Sequence, residues 1–259
     1  MKQEILFVLL KDFADWEGAY IAPYLNYGCG PDIKSKYVVK TVSVTKVPVV
    51  SCGGFTVLPD YSIDDIPADY AGIVLIGGMS WFTPEADLIV PLVKDAALNK
   101  KLVAGICNAS VFLGMHGFLN EVNHTSNTLE YIKAFAGVGY KGECRYIDSS
   151  AVREGNIVTA NGFSALEFCR EILYALDAYS PKMIEKSYRM NKTGVWEASE
   201  TEKNLNINDY EYCRKSSTDR CNSRGDCSNI YRREWLPSSM AMVKLKDENG
   251  GSYKTLSVE

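Results

Sequence analysis

The sequence predicts an α/β fold, a doubly wound and mostly parallel sheet, and three observations carry that prediction. Continuous apolar runs at Ile5 to Leu10, Gly72 to Ile76 and Lys101 to Ile106 have the length of strands covered on both faces. Segments of helical spacing separate them, as the crossovers of a parallel sheet require. The runs end at residues that let the chain turn sharply, Gly77-Gly78 after one and Cys107 after another. Ligands in such sheets gather at the carboxyl ends of the strands.

The elements follow in order. Ile5 to Leu10 is a central strand, and Asp12 to Leu25 is expected to form the first helical crossover, with Trp16, Ala19, Tyr20 and Tyr24 near helical spacing. Tyr37 to Thr45, rich in valine and threonine, reads as the second strand. Val49-Val50 and Phe55-Thr56-Val57 flank Gly53-Gly54 and suggest a short hairpin. After the strand 72–76, Thr83-Pro84-Glu85 has the form of a helix start, with a capping hydroxyl, a proline and an early acid. A helical or core segment follows Cys107, Ile157 to Ala160 is a further strand after the turn Glu154-Gly155-Asn156, and Ala165 to Leu176 is an amphipathic helix. Beyond Met190 the composition becomes polar, so the reading is a domain over 1–190 and an appended segment over 191–259. A hairpin is expected there, with Ser239 to Lys246 paired to Ser252 to Val258.

The composition excludes several function classes. With 259 residues, 46% hydrophobic and 23% charged, the chain is expected to fold around a real core. A net charge of -4 offers no general attraction to nucleic acid or to anionic lipid, and neither is expected as a partner. The N-terminal apolar run is too short for a signal peptide or a membrane span, so a cytoplasmic location is expected, with the eight cysteines as thiols. Cys213, Cys221 and Cys227 in the tail lack both histidine and a Cys-x-x-Cys pair, which argues against zinc. No metal or organic cofactor is required by any motif in the chain.

Cys107 carries the chemistry. A nucleophile elbow needs small residues two before and two after the nucleophile, and Gly105 and Ala109 satisfy it. The turn would present the sulfur at the start of a helix, a setting expected to lower its pKa and favour thiolate. The amides of Asn108 and Gly78 are placed to donate to an oxyanion. A small buried cysteine at the end of a strand has the same spacing, so the pattern alone leaves both readings open.

These residues, taken as an ordered set, resemble the ThiJ/PfpI superfamily, relatives of the class I glutamine amidotransferases. The set comprises Phe13 to Gly18, Gly53 to Asp60, Leu75 to Gly78, Ala104 to Ala109, Gly117 to Asn120, His124 to Asn127 and Val152 to Gly162. The resemblance implies a flavodoxin-like sandwich whose elbow cysteine faces a carboxylate on the helix after the first strand, a position matched by Glu17. It also implies that His124 lies near Cys107 as orienter or base, and that the protein is a homodimer. His116 is expected to be a packing or surface residue, and Trp81 a wall of the pocket or a core residue. Two departures bear on activity. The peptidase branch has histidine directly after the cysteine, where this chain has Asn108. Glutamine amidotransferases have glycine two after it and a later His-x-Glu pair, where this chain has Ala109 and no such pair.

The functional expectation is therefore a cysteine hydrolase or glyoxalase-like lyase acting on a small amide, thioester or 2-oxoaldehyde. Cys107 is the nucleophile, with His124 and Glu17 as its partners and Gly78 and Asn108 as oxyanion donors. The alternative is an oxidative-stress or redox-sensing protein in which Cys107 is oxidised without dedicated turnover. Peptidase and glutamine amidotransferase activities are not expected.

Overall fold

The computed structural model describes residues 2–30 and 33–195. The expected hairpin at 239–258 and the cysteines at 213, 221 and 227 lie outside the described residues. Seven strands form one sheet: β1 (Gln3–Val8), β2 (Tyr37–Ser43), β5 (Tyr61–Ser62), β6 (Tyr70–Leu75), β7 (Leu102–Ile106), β8 (Ala151–Glu154) and β9 (Ile157–Ala160). Their order is β5-β2-β1-β6-β7-β9-β8. Every pair is parallel except β8 with β9, which close antiparallel around the Glu154-Gly155-Asn156 turn. The strands β3 (Val49–Val50) and β4 (Thr56–Val57) make the expected separate hairpin, with Val49 opposite Val57.

Alternation along the central strands divides the core into two layers, because successive side chains of a strand point to opposite faces. Ile5 and Phe7 of β1, with Ala104 and Ile106 of β7, pack with α1 (Ile21–Asn26), α5 (Ala165–Ala175) and α6 (Pro181–Thr193). Leu6 and Val8 of β1, with Val103 of β7, pack with α2 (Val90–Leu98), α3 (Asn108–Met115) and α4 (Leu129–Ala136). Each fully buried aliphatic side chain contributes roughly 1.5–3 kcal/mol. This is the doubly wound, flavodoxin-like sandwich. No helix among the described residues is long and apolar enough to cross a membrane.

Three local expectations change. The crossover predicted over 12–25 is helical only from Ile21, and residues 13–20 form turns. Asp12 takes φ 59°, and Phe13 enters an antiparallel bridge with Gly78, its neighbour Ala14 donating to the Gly77 carbonyl at 2.9 Å. Tertiary pairing thus takes backbone groups that a helix would use. Thr83 does not cap with its side chain. Its hydroxyl donates back to the Ser80 carbonyl at 2.7 Å, and a 3-10 segment over Pro84–Ile89 precedes α2. Lastly, α6 was not foreseen: capped by Ser180, it runs through Met190 to Thr193 and ends at Gly194 with φ 68°. Its narrow apolar face, with Ile184 and Ser187 buried, packs on α5. The chain divides into Met1–Val195 and Trp196–Glu259, and only the first unit is described.

Candidate active site

The carboxyl ends of β1, β6 and β7 bring together the turn holding Glu17, the pair Gly77-Gly78, and Cys107. Cys107 has φ 56° and ψ -128°, a conformation that non-glycine residues rarely hold unless their surroundings impose it. The surroundings do so here. Its amide donates to the Ala160 carbonyl at 3.0 Å, and its carbonyl accepts the Ser110 hydroxyl at 2.6 Å. Ser110 in turn shares a 2.7 Å hydrogen bond with Ser126. The small residues of the elbow are sterically required, since a Cβ on Gly105 would stand 2.8 Å from Leu113 and 3.3 Å from the Ala109 carbonyl oxygen. Cys107 as a residue is half-buried.

Glu17 lies under the sulfur, fully buried, on a turn rather than on the helix the resemblance implied. Its Oε2 accepts the Gly77 amide at 2.6 Å. Its Oε1 is buried with no hydrogen-bond partner, and it borders the same small space at Gly162 as the Cys107 sulfur. Two glycines make room for this pair. A Cβ on Gly77 would lie 2.5 Å from Glu17 Oε2 and 2.7 Å from the Cys107 Cβ, and one on Gly162 would lie 2.8 Å from the sulfur.

Burial pushes the Glu17 carboxyl up to about 7, against the opposing pull of the Gly77 amide and the Cys107 thiol. Burial first, and then the charge of Glu17, push the Cys107 thiol up to about 11, although Asn127 and the Asn108 amide favour its anion. The expected depression of the thiol pKa is therefore reversed. The start of an eight-residue helix does not offset desolvation above a buried carboxylate. At neutral pH the pair holds at least one proton, and a thiolate forms by handing that proton to Glu17, a transfer that leaves the net charge of the site unchanged.

His124 does not join them. It is buried, with Nδ1 2.8 Å from the Val122 carbonyl and Nε2 2.8 Å from the Tyr140 hydroxyl. A carbonyl only accepts, so Nδ1 carries the proton and Nε2 accepts from the phenol. Both ring nitrogens are thus spent away from the sulfur, and burial lowers the histidine pKa and keeps the ring neutral. The expected Cys107–His124 dyad is corrected: His124 pins the 124–147 region, its backbone pairing with Arg145 and Ile147.

The residue that takes the place beside the sulfur is Asn127, three positions later in the same stretch, and it was missed. Its Oδ1 accepts the Gly162 amide at 3.0 Å, and its Nδ2 faces Cys107 Sγ at 3.6 Å and Asn108 Oδ1 at 3.4 Å. The Asn108 side chain donates to the Gly78 carbonyl at 3.2 Å and accepts the Tyr131 hydroxyl at 3.0 Å. Of the two glycines after β6, Gly77 gives its amide to Glu17, and Gly78 lies against the Asp12 carbonyl, where a Cβ would meet oxygen at 2.8 Å. Trp81 is a core residue packed on Phe112, its indole donating to the Ile76 carbonyl at 2.6 Å. Trp16 stands at the mouth of the site in its place, with its indole N–H 3.0 Å from the Gly162 carbonyl. His116 packs edge-on against Phe112, as a packing residue would. Among the described residues no cluster of three or more His, Cys, Asp or Glu is arranged to hold a metal ion.

The chain is similar to several known proteins. The chain is 37% identical over 194 residues to a Bacillus subtilis protein named uncharacterized protease YdeA, covering 75% of this chain and 93% of that one. It is 34% identical to a second from the same organism, uncharacterized protease YoaZ, covering 74% and 91%. Among solved structures, a DJ-1 superfamily protein from Agrobacterium tumefaciens superposes with a TM-score of 0.66 at 35% identity, covering 74% of this chain and all of that one. A thiJ/pfpI family protein from Bacillus anthracis gives 0.68 at 31% identity, covering 75% and 92%. Residues 3–175, which include the elbow cysteine, its buried carboxylate and the glycines around them, match the model of the DJ-1/PfpI family, and the chain belongs to that family.

Proposed function

We propose that the protein is a cysteine-dependent hydrolase or lyase acting on a small activated carbonyl compound, a thioester or a 2-oxoaldehyde in preference to an amide. The observation that carries this reading is the half-buried Cys107 set against the fully buried Glu17, with Gly77 and Gly162 leaving no room for a Cβ beside the pair; burial pushes that carboxyl up to about 7. A general acid and base is most effective when its pKa lies near the working pH. Asn127, an amide, neither takes nor gives a proton here, so proton transfer falls to Glu17.

With a 2-oxoaldehyde, the sulfur forms a bond to the aldehyde carbon while the carbonyl π bond opens. The proton shared with Glu17 passes to the new alkoxide oxygen and gives a hemithioacetal. The Glu17 carboxylate then removes the hydrogen from that carbon as a proton, giving an enediolate, and returns it to the neighbouring carbon, while the hydroxyl proton of the hemithioacetal passes to the neighbouring oxygen, leaving a 2-hydroxy thioester. Water cleaves the thioester to a 2-hydroxy acid and restores the thiol. The net change is addition of one water, with no external oxidant or reductant. The amides of Asn108 and Gly78 and the Asn127 Nδ2 serve as donors to the developing oxyanion. The peptidase wording attached to the Bacillus relatives gains no support from Asn108, the residue after the cysteine.

The test is turnover of methylglyoxal and of a short acyl thioester by the wild-type chain, Cys107→Ala and Glu17→Gln. Activity abolished in both variants supports the reading, and absence of wild-type activity on either substrate overturns it. A second reading, oxidation of Cys107 without turnover, is favoured by the Asn127 and Asn108 donors, which suit sulfinate oxygens equally well. Intact-mass measurement after mild hydrogen peroxide, with no oxygen added at Cys107, would sink it.

A further inference from the structure

Single exposed apolar side chains are ordinary on a protein surface. Three of them, each hydrogen-bonded to or next in the chain to a residue beside one reactive atom, are not. Phe163 is 98% exposed, Met79 65% and Trp16 51%. Trp16 is anchored by its indole N–H to the Gly162 carbonyl, and Phe163 is the next residue in the chain. Gly162 itself lies against the Cys107 sulfur and gives its amide to Asn127. Met79 Sδ stands 3.4 Å from Asn108 Nδ2, on the residue that follows the cysteine. Trp16 and Met79 are thus one hydrogen bond from Gly162 and Asn108, and Phe163 is one peptide bond from Gly162. Of the two acids beside Trp16, Asp15 accepts the Gly53 amide at 2.8 Å and the Cys52 thiol at 3.5 Å through Oδ2, and Glu17 is the buried carboxyl of the site.

The geometry points to Trp16, Phe163 and Met79 as an apolar lip that sets specificity at Cys107, selecting carbonyl compounds that carry an uncharged aromatic or branched apolar group beside the reacting carbon. This rests on the carbonyl chemistry proposed above and adds the substrate class. An aromatic substituent can stack on the indole and the phenyl ring and gain soft contact with the thioether.

The test separates the lip from the chemistry. The full chain is labelled with N-methylmaleimide and with N-phenylmaleimide, and rates are resolved by peptide mapping at Cys107 and at the exposed Cys52 and Cys144, which serve as internal references. In both reagents the thiolate adds across the same double bond and the adduct takes up a proton, so the ratio of rates reports the substituent alone. The phenyl-to-methyl ratio at Cys107 is expected to exceed that at the reference thiols by at least about fivefold. Phe163→Ala and Met79→Ala should each lower it towards the reference, while the remote Leu98→Ala leaves it unchanged. A ratio at Cys107 equal to that of Cys52 overturns the lip even when methylglyoxal is turned over. A raised ratio without turnover of methylglyoxal or its phenyl analogue supports the lip and overturns the carbonyl chemistry instead. A ratio that rises only as the protein is diluted would place a second copy of the chain over these residues and would also overturn the proposal.

Discussion

The Gly162 amide donates to Asn127 Oδ1 at 3.0 Å, and that bond decides which end of the Asn127 side chain meets Cys107. With the oxygen held by a backbone N–H, only the amide nitrogen can face the sulfur, at 3.6 Å. The third polar group of the site is therefore a fixed donor. A hydrogen bond to a charged group is worth about 1.5–3 kcal/mol, a factor of roughly 10–100 in the anion population it supports. Asn127→Ala should slow iodoacetamide alkylation of Cys107 at neutral pH by about tenfold or more. Asn127→Asp, which sets a second carboxylate beside the sulfur, should slow it further. Rates measured at Cys107 by mass spectrometry, with Cys52 as reference, check both, and an Asp variant that reacts as fast as wild type contradicts the assignment.

Glu17 links the site to stability. Its carboxyl sits near 4.5 in the unfolded chain and is pushed up to about 7 by burial in the fold. The folded state thus holds the proton more tightly, so the fold is relatively favoured below about pH 4.5 and loses that advantage as pH rises through 7. The full loss corresponds to roughly 3 kcal/mol, from about 1.4 kcal/mol per unit. Glu17→Gln removes the titration. The stability of the variant relative to wild type should therefore rise by a few kcal/mol between pH 5 and pH 8, as read by urea unfolding at the two values. A difference that stays flat with pH would mean that Glu17 is not desolvated in the fold.

Much of this was legible in the chain, for physical reasons that differ by residue. Cys107 announced itself because an elbow restricts the residues two before and two after it, and at Gly105 a Cβ would stand 2.8 Å from Leu113 and 3.3 Å from the Ala109 carbonyl oxygen. Gly77-Gly78 was readable as the end of an apolar strand. Glu17 was found by its match to a family position, and its place on a turn was not, because Phe13 pairs with Gly78 and no local propensity reports such a bridge. Asn127 was missed because His124, in the same polar run, has the more familiar chemistry beside a thiol. Which of the two side chains faces the sulfur is fixed by long-range bonds, Thr125 to Thr159, Ser126 to Ser110 and Asn127 to Gly162. The polar run His124-Thr125-Ser126-Asn127 was the available signal, and only the fold shows that its first three residues are buried.

Gly162 offers a steric test of the site. A Cβ there would stand 2.8 Å from the Cys107 sulfur and 3.0 Å from its Cβ, and 3.4 Å from Glu17 Oε1. The first two contacts are too close for a relaxed structure, so either the sulfur leaves its position or the 161–163 turn shifts and takes the Asn127 bond with it. Gly162→Ala should lower Cys107 alkylation by more than about tenfold while costing about 1–3 kcal/mol, the usual penalty of overpacking. Alkylation kinetics and urea unfolding on the same sample separate the two effects, and wild-type reactivity in a folded variant would show that the turn does not frame the sulfur.

His124 provides the opposite test, because its structural role and its expected catalytic role predict different outcomes. Its ring is fully buried between Tyr140 and Tyr146, with centroids 5.5 and 5.8 Å away, and both nitrogens are bonded. Truncation to alanine leaves a cavity and strips the Val122 carbonyl and the Tyr140 hydroxyl of their partner, changes that together cost on the order of 2–5 kcal/mol. Since neither nitrogen faces the sulfur, the pH dependence of Cys107 alkylation should keep its midpoint in whatever fraction of His124→Ala remains folded. His124→Gln, which fills part of the space and can restore one hydrogen bond, should recover part of the stability and leave that profile equally unmoved. A shift of the alkylation profile in the glutamine variant would return His124 to the chemistry; an unmoved profile with lowered stability leaves Glu17 as the proton partner of Cys107.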